Sequence, residues 1–178
     1  RWKRRYTVAE NITPFEKVMQ AIAMRESSGD PTKTSEKGAI GLLGIMPKDA
    51  MAGLRSNVPN VFDAATSLGF DFPDRSQETA EMLLRDPQIN SMIGEKYFTE
   101  LANKYNGDPE ATLTAYNAGP GKYDRIGSAA GMDIAEQQDY AAAVARDYAR
   151  LFGEPMPTNL ATLQSLRPKS RPQRGLLQ

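Results

Sequence analysis

The chain has 178 residues, 40% of them hydrophobic, which suffices for one domain with a real core and is short for two. Formal net charge is zero, yet Thr7 to Gly153 carry 14 Lys and Arg against 21 Asp and Glu, net −7. That acidic body argues against a grip on nucleic acid, and the absence of His and Cys excludes Ser-His triads, thiolate nucleophiles, zinc fingers and disulfides. Acid–base chemistry near neutral pH therefore falls to carboxylates, tyrosines or lysines. The basic residues gather at the two ends, Arg1, Lys3, Arg4 and Arg5 and then Arg167, Lys169, Arg171 and Arg174. RWKRRY is not followed by an apolar signal core, and no run reaches the roughly 18 apolar residues of a membrane span.

After a basic segment at 1–12, Thr13-Pro14 opens the first helix, with Glu16 placed for a capping box. Phe15, Val18, Met19 and Ile22 form one apolar stripe. Glu26 lies about three turns after Phe15, on that same stripe. A carboxyl aimed into an apolar wall is disfavoured as an anion, so its pKa rises toward the range of a general acid. The stretch from Asp49 to Arg85 predicts two or three short helices. Asp86-Pro87 starts a long amphipathic helix carrying Ile89, Met92, Ile93, Tyr97, Leu101 and Tyr105. Asp108-Pro109 starts a shorter one, ended near Asn117 by the turn sequence Asn117-Ala118-Gly119-Pro120-Gly121. Asp86 and Asp108 read as helix caps and not as catalytic partners. A last helix runs from about Ile134 to Gly153, its stop signal. Tyr97, Tyr105, Tyr140 and Tyr148 fall on apolar faces and read as core, whereas Tyr116 sits beside a turn. From 154 to 178 the chain is Pro- and Arg-rich and is expected to be an extended tail.

Glu26-Ser27-Ser28, Ser35-Glu36-Lys37-Gly38-Ala39-Ile40-Gly41-Leu42 and Ile45-Met46-Pro47 resemble the catalytic signature of soluble lytic transglycosylases and their goose-type lysozyme relatives. Asp86-Pro87 with Asn90, Gly94 and Tyr97 is similar to that family's D-P-x-x-N-x-x-x-G-x-x-Y helix. Ala115-Tyr116-Asn117-Ala118-Gly119-Pro120-Gly121 is similar to its A-Y-N-A-G-P-G segment. Glu136 and Tyr140 stand at the spacing of its E-T-x-x-Y element, with Gln137 in place of the threonine. One position departs: the family's G-L-M-Q reads Gly41-Leu42-Leu43-Gly44 here, without the glutamine amide.

The resemblance implies a mainly α, lysozyme-like helical domain over 13–153 with a glycan-binding cleft and two extended tails. It implies Glu26 as the catalytic acid/base, with Ser35, Met46, Tyr116, Asn117, Glu136 and Tyr140 lining the cleft. The substrate implied is the β-1,4 link between N-acetylmuramic acid and N-acetylglucosamine, and the product a 1,6-anhydromuramic end. Tyr116, donating from its hydroxyl, and Ser35 are the expected partners of the sugar's acetamido group. No cofactor or metal is called for. Two alternatives stand beside this reading: a peptidoglycan-binding or structural protein of weak or no turnover, with Gly44 as the lesion, and a hydrolase of the goose-lysozyme kind. The expected site of action is the periplasm and cell wall. The setting resembles that of bacteriophage virion proteins or secretion-system components, with the basic ends as docking segments for their partners.

Overall fold

A computed structural model of the chain describes residues 12–166, with side chains described through residue 163. The basic residues of both ends lie outside that range. In chain order the helices are α1 (Pro14–Ser27), α2 (Pro47–Ala52), α3 (Val61–Ser67), α4 (Gln77–Leu84), α5 (Pro87–Lys104), α6 (Pro109–Ala118), α7 (Pro120–Ile126) and α8 (Ala135–Phe152), followed by a 3₁₀ turn (Ala161–Leu166). Among the described residues there is no extended sheet, only isolated bridges joining Thr34 to Ile40 and Ile40 to Ile45.

The helix starts follow from their caps. Thr13 Oγ1 accepts from Glu16 N at 3.2 Å while the Glu16 carboxylate accepts from Thr13 N at 2.7 Å, so two otherwise orphaned donors are satisfied. Asp86 accepts from Gln88 N and Ile89 N, and Asp108 from Ala111 N, so both aspartates serve as caps. Three short helices fill the segment between Asp49 and Arg85, with α2 beginning just before it, as expected.

The α5 helix runs through the centre. Ile89, Ile93, Phe98 and Leu101 are completely buried on it. Phe98 meets Phe15 of α1 edge-on at 5.9 Å between ring centres. Helix α1 packs along α8, α6 lies between α5 and α8, and α2, α3 and α4 gather at the other side of α5. The predicted stripe of α1 is the buried one: Phe15, Val18, Met19 and Ile22 are all core residues.

Two expectations are corrected. The stretch Asn117–Gly121 is not a plain turn: Gly119 alone makes the corner, and Pro120 begins α7. Nor is the chain after 153 simply an extended tail. Gly153 ends α8 and Pro155 and Pro157 follow it, but Leu160 and Leu163 return to the core, and Leu160 N donates to Gly107 O at 2.8 Å. Burying each leucine contributes about 2 kcal/mol toward the cost of ordering this return. Residues 167–178 lie outside the described range.

Candidate active site

Glu26 occupies the last turn of α1, one residue before its end. The helix stops because Ser28 turns left-handed at φ 57 and its N–H caps Ala23 O and Met24 O. Ser27, buried, bonds Ala23 O and Leu42 O at 3.0 Å each, so the helix end is fastened to the loop that follows. Lys33 Nζ reaches the Glu26 carbonyl at 3.0 Å.

Across from the carboxyl stands the loop Ile40–Ile45, and α5 holds it. Asn90, fully buried, accepts from Leu43 N and donates to Ile40 O and Leu84 O, each at 2.9 Å. One turn on, at Gly94, a Cβ would collide with the Leu43 side chain, so a glycine is what lets the loop lie against the helix. Asn90 stands three and seven residues before Ile93 and Tyr97 on the buried face of α5, a spacing that marks it as buried without naming its partners. Asn90→Ala removes three bonds and strands buried groups on the loop. Its expected cost is about 3 kcal/mol, read as a lower urea midpoint with an unchanged denaturant slope.

That loop delivers Gly44 against the acid. Gly44 has φ +61, and a Cβ there would collide with Glu26 Oε2. The other carboxyl oxygen, Oε1, accepts a 2.5 Å hydrogen bond from the Tyr140 hydroxyl of α8. The two oxygens are thereby differentiated. Oε1 is engaged as an acceptor, which leaves Oε2, over Gly44, as the one free to carry and release a proton.

Burial is the main influence on this carboxyl, and it raises the pKa. The Tyr140 hydrogen bond opposes it, the negative charge of Glu136 adds to it, and the cations Lys33 and Arg25 oppose it. Arg25 is itself turned toward the buried Asp147, which accepts from its Nε at 3.0 Å and its Nη2 at 2.7 Å. The net direction is upward. A raised carboxyl remains protonated to higher pH than an ordinary glutamate, which is what proton donation requires. Removing the opposing bond, as in Tyr140→Phe, should move the alkaline limb of any Glu26-dependent activity to higher pH. Glu136→Gln should move it to lower pH, and a pH–rate profile of both variants checks the pair of signs.

The remaining expected site residues are unevenly placed. Tyr140 is both core and site: 2% exposed, yet bonded to Glu26. Tyr116 is half-buried against Tyr97, ring centres 5.4 Å apart, and its hydroxyl donates to Leu43 O at 3.0 Å. Its proton is therefore committed to the loop, against the expectation that it donates to a sugar acetamido group. Burial of this hydroxyl, and after it the charge of Glu26, pushes its pKa well up. Ser35 Oγ accepts from Ala39 N at 3.0 Å, closing its own loop. Glu136 is exposed and lies 3.6 Å from Lys37. Met46 is 36% exposed at the start of α2, and Asn117 is half-buried. The four tyrosines read as core divide: Tyr97, Tyr140 and Tyr148 are buried, while Tyr105 is half-buried and donates to Asp124 at 2.9 Å. Among the described residues no cluster of acidic side chains is arranged to hold a metal ion.

The helical frame that carries this carboxyl is shared with known proteins. The family of the transglycosylase SLT domain matches residues 5–138. The chain belongs to this family. It is 30% identical over 129 residues to the soluble lytic murein transglycosylase of Escherichia coli (strain K12), covering 72% of this chain and 17% of that protein. The Salmonella typhimurium protein of the same name is 30% identical over 128 residues, covering 71% and 17%. The SLT chain thus spans about one sixth of the length of these relatives.

Solved structures agree on the fold. The 70 kDa soluble lytic transglycosylase of Escherichia coli superposes with a TM-score of 0.58 at 26% identity, over 86% of this chain and 24% of that one. A 70 kDa soluble lytic transglycosylase in complex with bulgecin A superposes with a TM-score of 0.59 at 26% identity, over 89% and 25%. The lysozyme-like helical architecture of the SLT domain is therefore the architecture of this chain. No helix among the described residues is long and apolar enough to cross a membrane.

Proposed function

We propose that this SLT domain is a peptidoglycan lytic transglycosylase that cuts the β-1,4 bond between N-acetylmuramic acid and N-acetylglucosamine, with Glu26 as its single acid/base. The observation that carries the reading is the pair of inequivalent Glu26 oxygens, one bonded to Tyr140 and the other over Gly44, on a carboxyl whose pKa burial raises.

Glu26 Oε2 gives its proton to the departing glycosidic oxygen as the C1–O bond breaks, and the sugar's own 2-acetamido group stabilises the cation that forms. The carboxylate, steadied by Tyr140 at 2.5 Å, then takes the proton of the muramyl O6 as that oxygen bonds to C1. The acid is regenerated and the ring closes to a 1,6-anhydro end. Because O6 belongs to the ring it attacks, the step has a high effective molarity and needs no second carboxylate. Ser35, Met46, Asn117 and Glu136 are assigned to the glycan-lining surface. Tyr116 is assigned there through its ring and its acceptor lone pairs, its proton being held by Leu43. The place of action is the wall and periplasm, where this substrate is found. Delivery there by a phage virion or a secretion apparatus belongs to the same proposal and rests on the basic segments that flank an acidic body.

Mass spectrometry of muropeptides after digestion tests the reading. Anhydromuramic ends are expected, and their formation should depend on Glu26. Reducing ends would assign the chain to the hydrolases instead, and binding without glycan products would assign it to the wall-binding class.

A further inference from the structure

Two neighbouring side chains at the end of α1 meet α8. Glu26 accepts from the Tyr140 hydroxyl, and Arg25, the residue before it, donates to Asp147. Tyr140 and Asp147 are seven residues apart, about two turns, so they share one face of α8 and lie roughly 10 Å apart along its axis. That face is otherwise Ala143, Val144 and Tyr148, all buried, and a carboxylate is out of character among them. Asp147 is only 6% exposed. Two arginines keep it there: Oδ2 accepts from Arg25 Nε at 3.0 Å and Nη2 at 2.7 Å, and Oδ1 accepts from Arg150 Nη2 at 2.8 Å. Charge-assisted bonds to a buried acceptor hold their donors firmly.

Arg25 is the cation that most needs holding. Lys33 is occupied at the Glu26 backbone carbonyl, at 3.0 Å. On the other elements around the acid, Glu136 of α8 lies 3.6 Å from Lys37, and Tyr116 of α6 donates to Leu43 O. A guanidinium released from Asp147 has two anions in its field, Asp139 and Glu26. Asp139 already holds Arg146, which leaves Glu26. Paired with Arg25, the acid would be kept ionised and drawn from the Tyr140 hydroxyl, the opposite of what proton donation requires.

Resting on Glu26 as the proton donor of the proposed cleavage, we infer that Asp147 is a positioning residue for that reaction. It anchors the Arg25 guanidinium two turns along α8 from Tyr140, and thereby keeps the cation off Glu26 and the last turn of α1 against α8.

Titration of the Glu26 carboxyl by carbon-detected NMR, with the pH–rate profile of cleavage beside it, tests this in three variants of the full chain. In Asp147→Asn the carboxyl midpoint and the alkaline limb should both move to lower pH. There kcat should fall by about 10–10²-fold with KM little changed, as for a displaced catalytic group. In Arg25→Gln the opposing cation is gone, so both should move to higher pH. The double variant Arg25→Gln/Asp147→Asn should follow Arg25→Gln, because no guanidinium remains to be released. A midpoint unmoved or raised in Asp147→Asn would overturn the assignment. So would a midpoint still lowered in the double variant, since Asp147 would then act by its own charge and not through Arg25. Arg25 is exposed and its loss leaves Asp147 its bond to Arg150, so Arg25→Gln keeps the test valid if Asp147→Asn is unstable. An unmoved or lowered midpoint in Arg25→Gln would also overturn it. The NMR midpoint needs no turnover: the expected shifts in a chain that cuts no glycan would count against the catalytic reading alone.

Discussion

Replacing Glu26 by Gln is expected to reduce glycan cleavage by about 10²–10⁴-fold, the usual contribution of a general acid, and at the same time to stabilise the fold at neutral pH. Both effects have one cause. Burial raises the Glu26 pKa, so the folded chain binds this proton more tightly than the unfolded chain does. The corresponding stability is fully present below the ordinary glutamate value and is lost as pH rises through the raised folded value. A glutamine, which cannot ionise, does not lose it, and its amide oxygen can still accept from Tyr140. Urea midpoints of the two proteins should therefore diverge toward alkaline pH, the variant being the more stable, and converge toward acid. Retained cleavage in the variant, or lower stability at neutral pH, would contradict the account.

Placing at position 44 the glutamine of the signature that this loop resembles should lower the proposed cleavage. A Gly44→Gln side chain must start from a backbone at φ +61 and from a Cβ that collides with Glu26 Oε2. The left-handed conformation costs a non-glycine residue about 1–2 kcal/mol. The carboxyl, as the flexible partner, must move away from its place beside Tyr140. A displacement near 1 Å costs on the order of 10²-fold in rate, so kcat should fall by about that factor while the fold survives with a modestly lower urea midpoint. An increase in kcat would show that the amide was missing from this site, and that Gly44 is the lesion its sequence suggested. Gly44 here is the residue that makes room for the acid.

Local chemistry was legible and long-range partnership was not. Phe15, Val18, Met19 and Ile22 announce a buried stripe because helical spacing alone sets it, and Thr13, Asp86 and Asp108 announce their helices because a cap acts within three residues. The start of α7 at Pro120 obeys the same proline-first rule, but the glycines on either side of that proline read as a turn. The return of Leu160 and Leu163 to the core was hidden by Gly153, which ends α8, and by Pro155 and Pro157 after it, which interrupt periodicity without ending the fold. At the site, the spacing of Glu26 foretold a carboxyl against apolar neighbours. Nothing within a helical window foretold that Tyr140, 114 positions away, would donate to it. Nor could periodicity show that Tyr116 spends its proton on Leu43, or that Asn90 holds the loop carrying Gly44. Such contacts depend on how α5, α6 and α8 pack around α1.

The most direct measurement is the titration of the Glu26 side-chain carboxyl by carbon-detected NMR, assigned by its loss in Glu26→Gln. A midpoint above that of an ordinary glutamate, coinciding with the alkaline limb of cleavage, is the predicted result. A midpoint at or below the ordinary value would leave the proposed cleavage without a proton donor in this position.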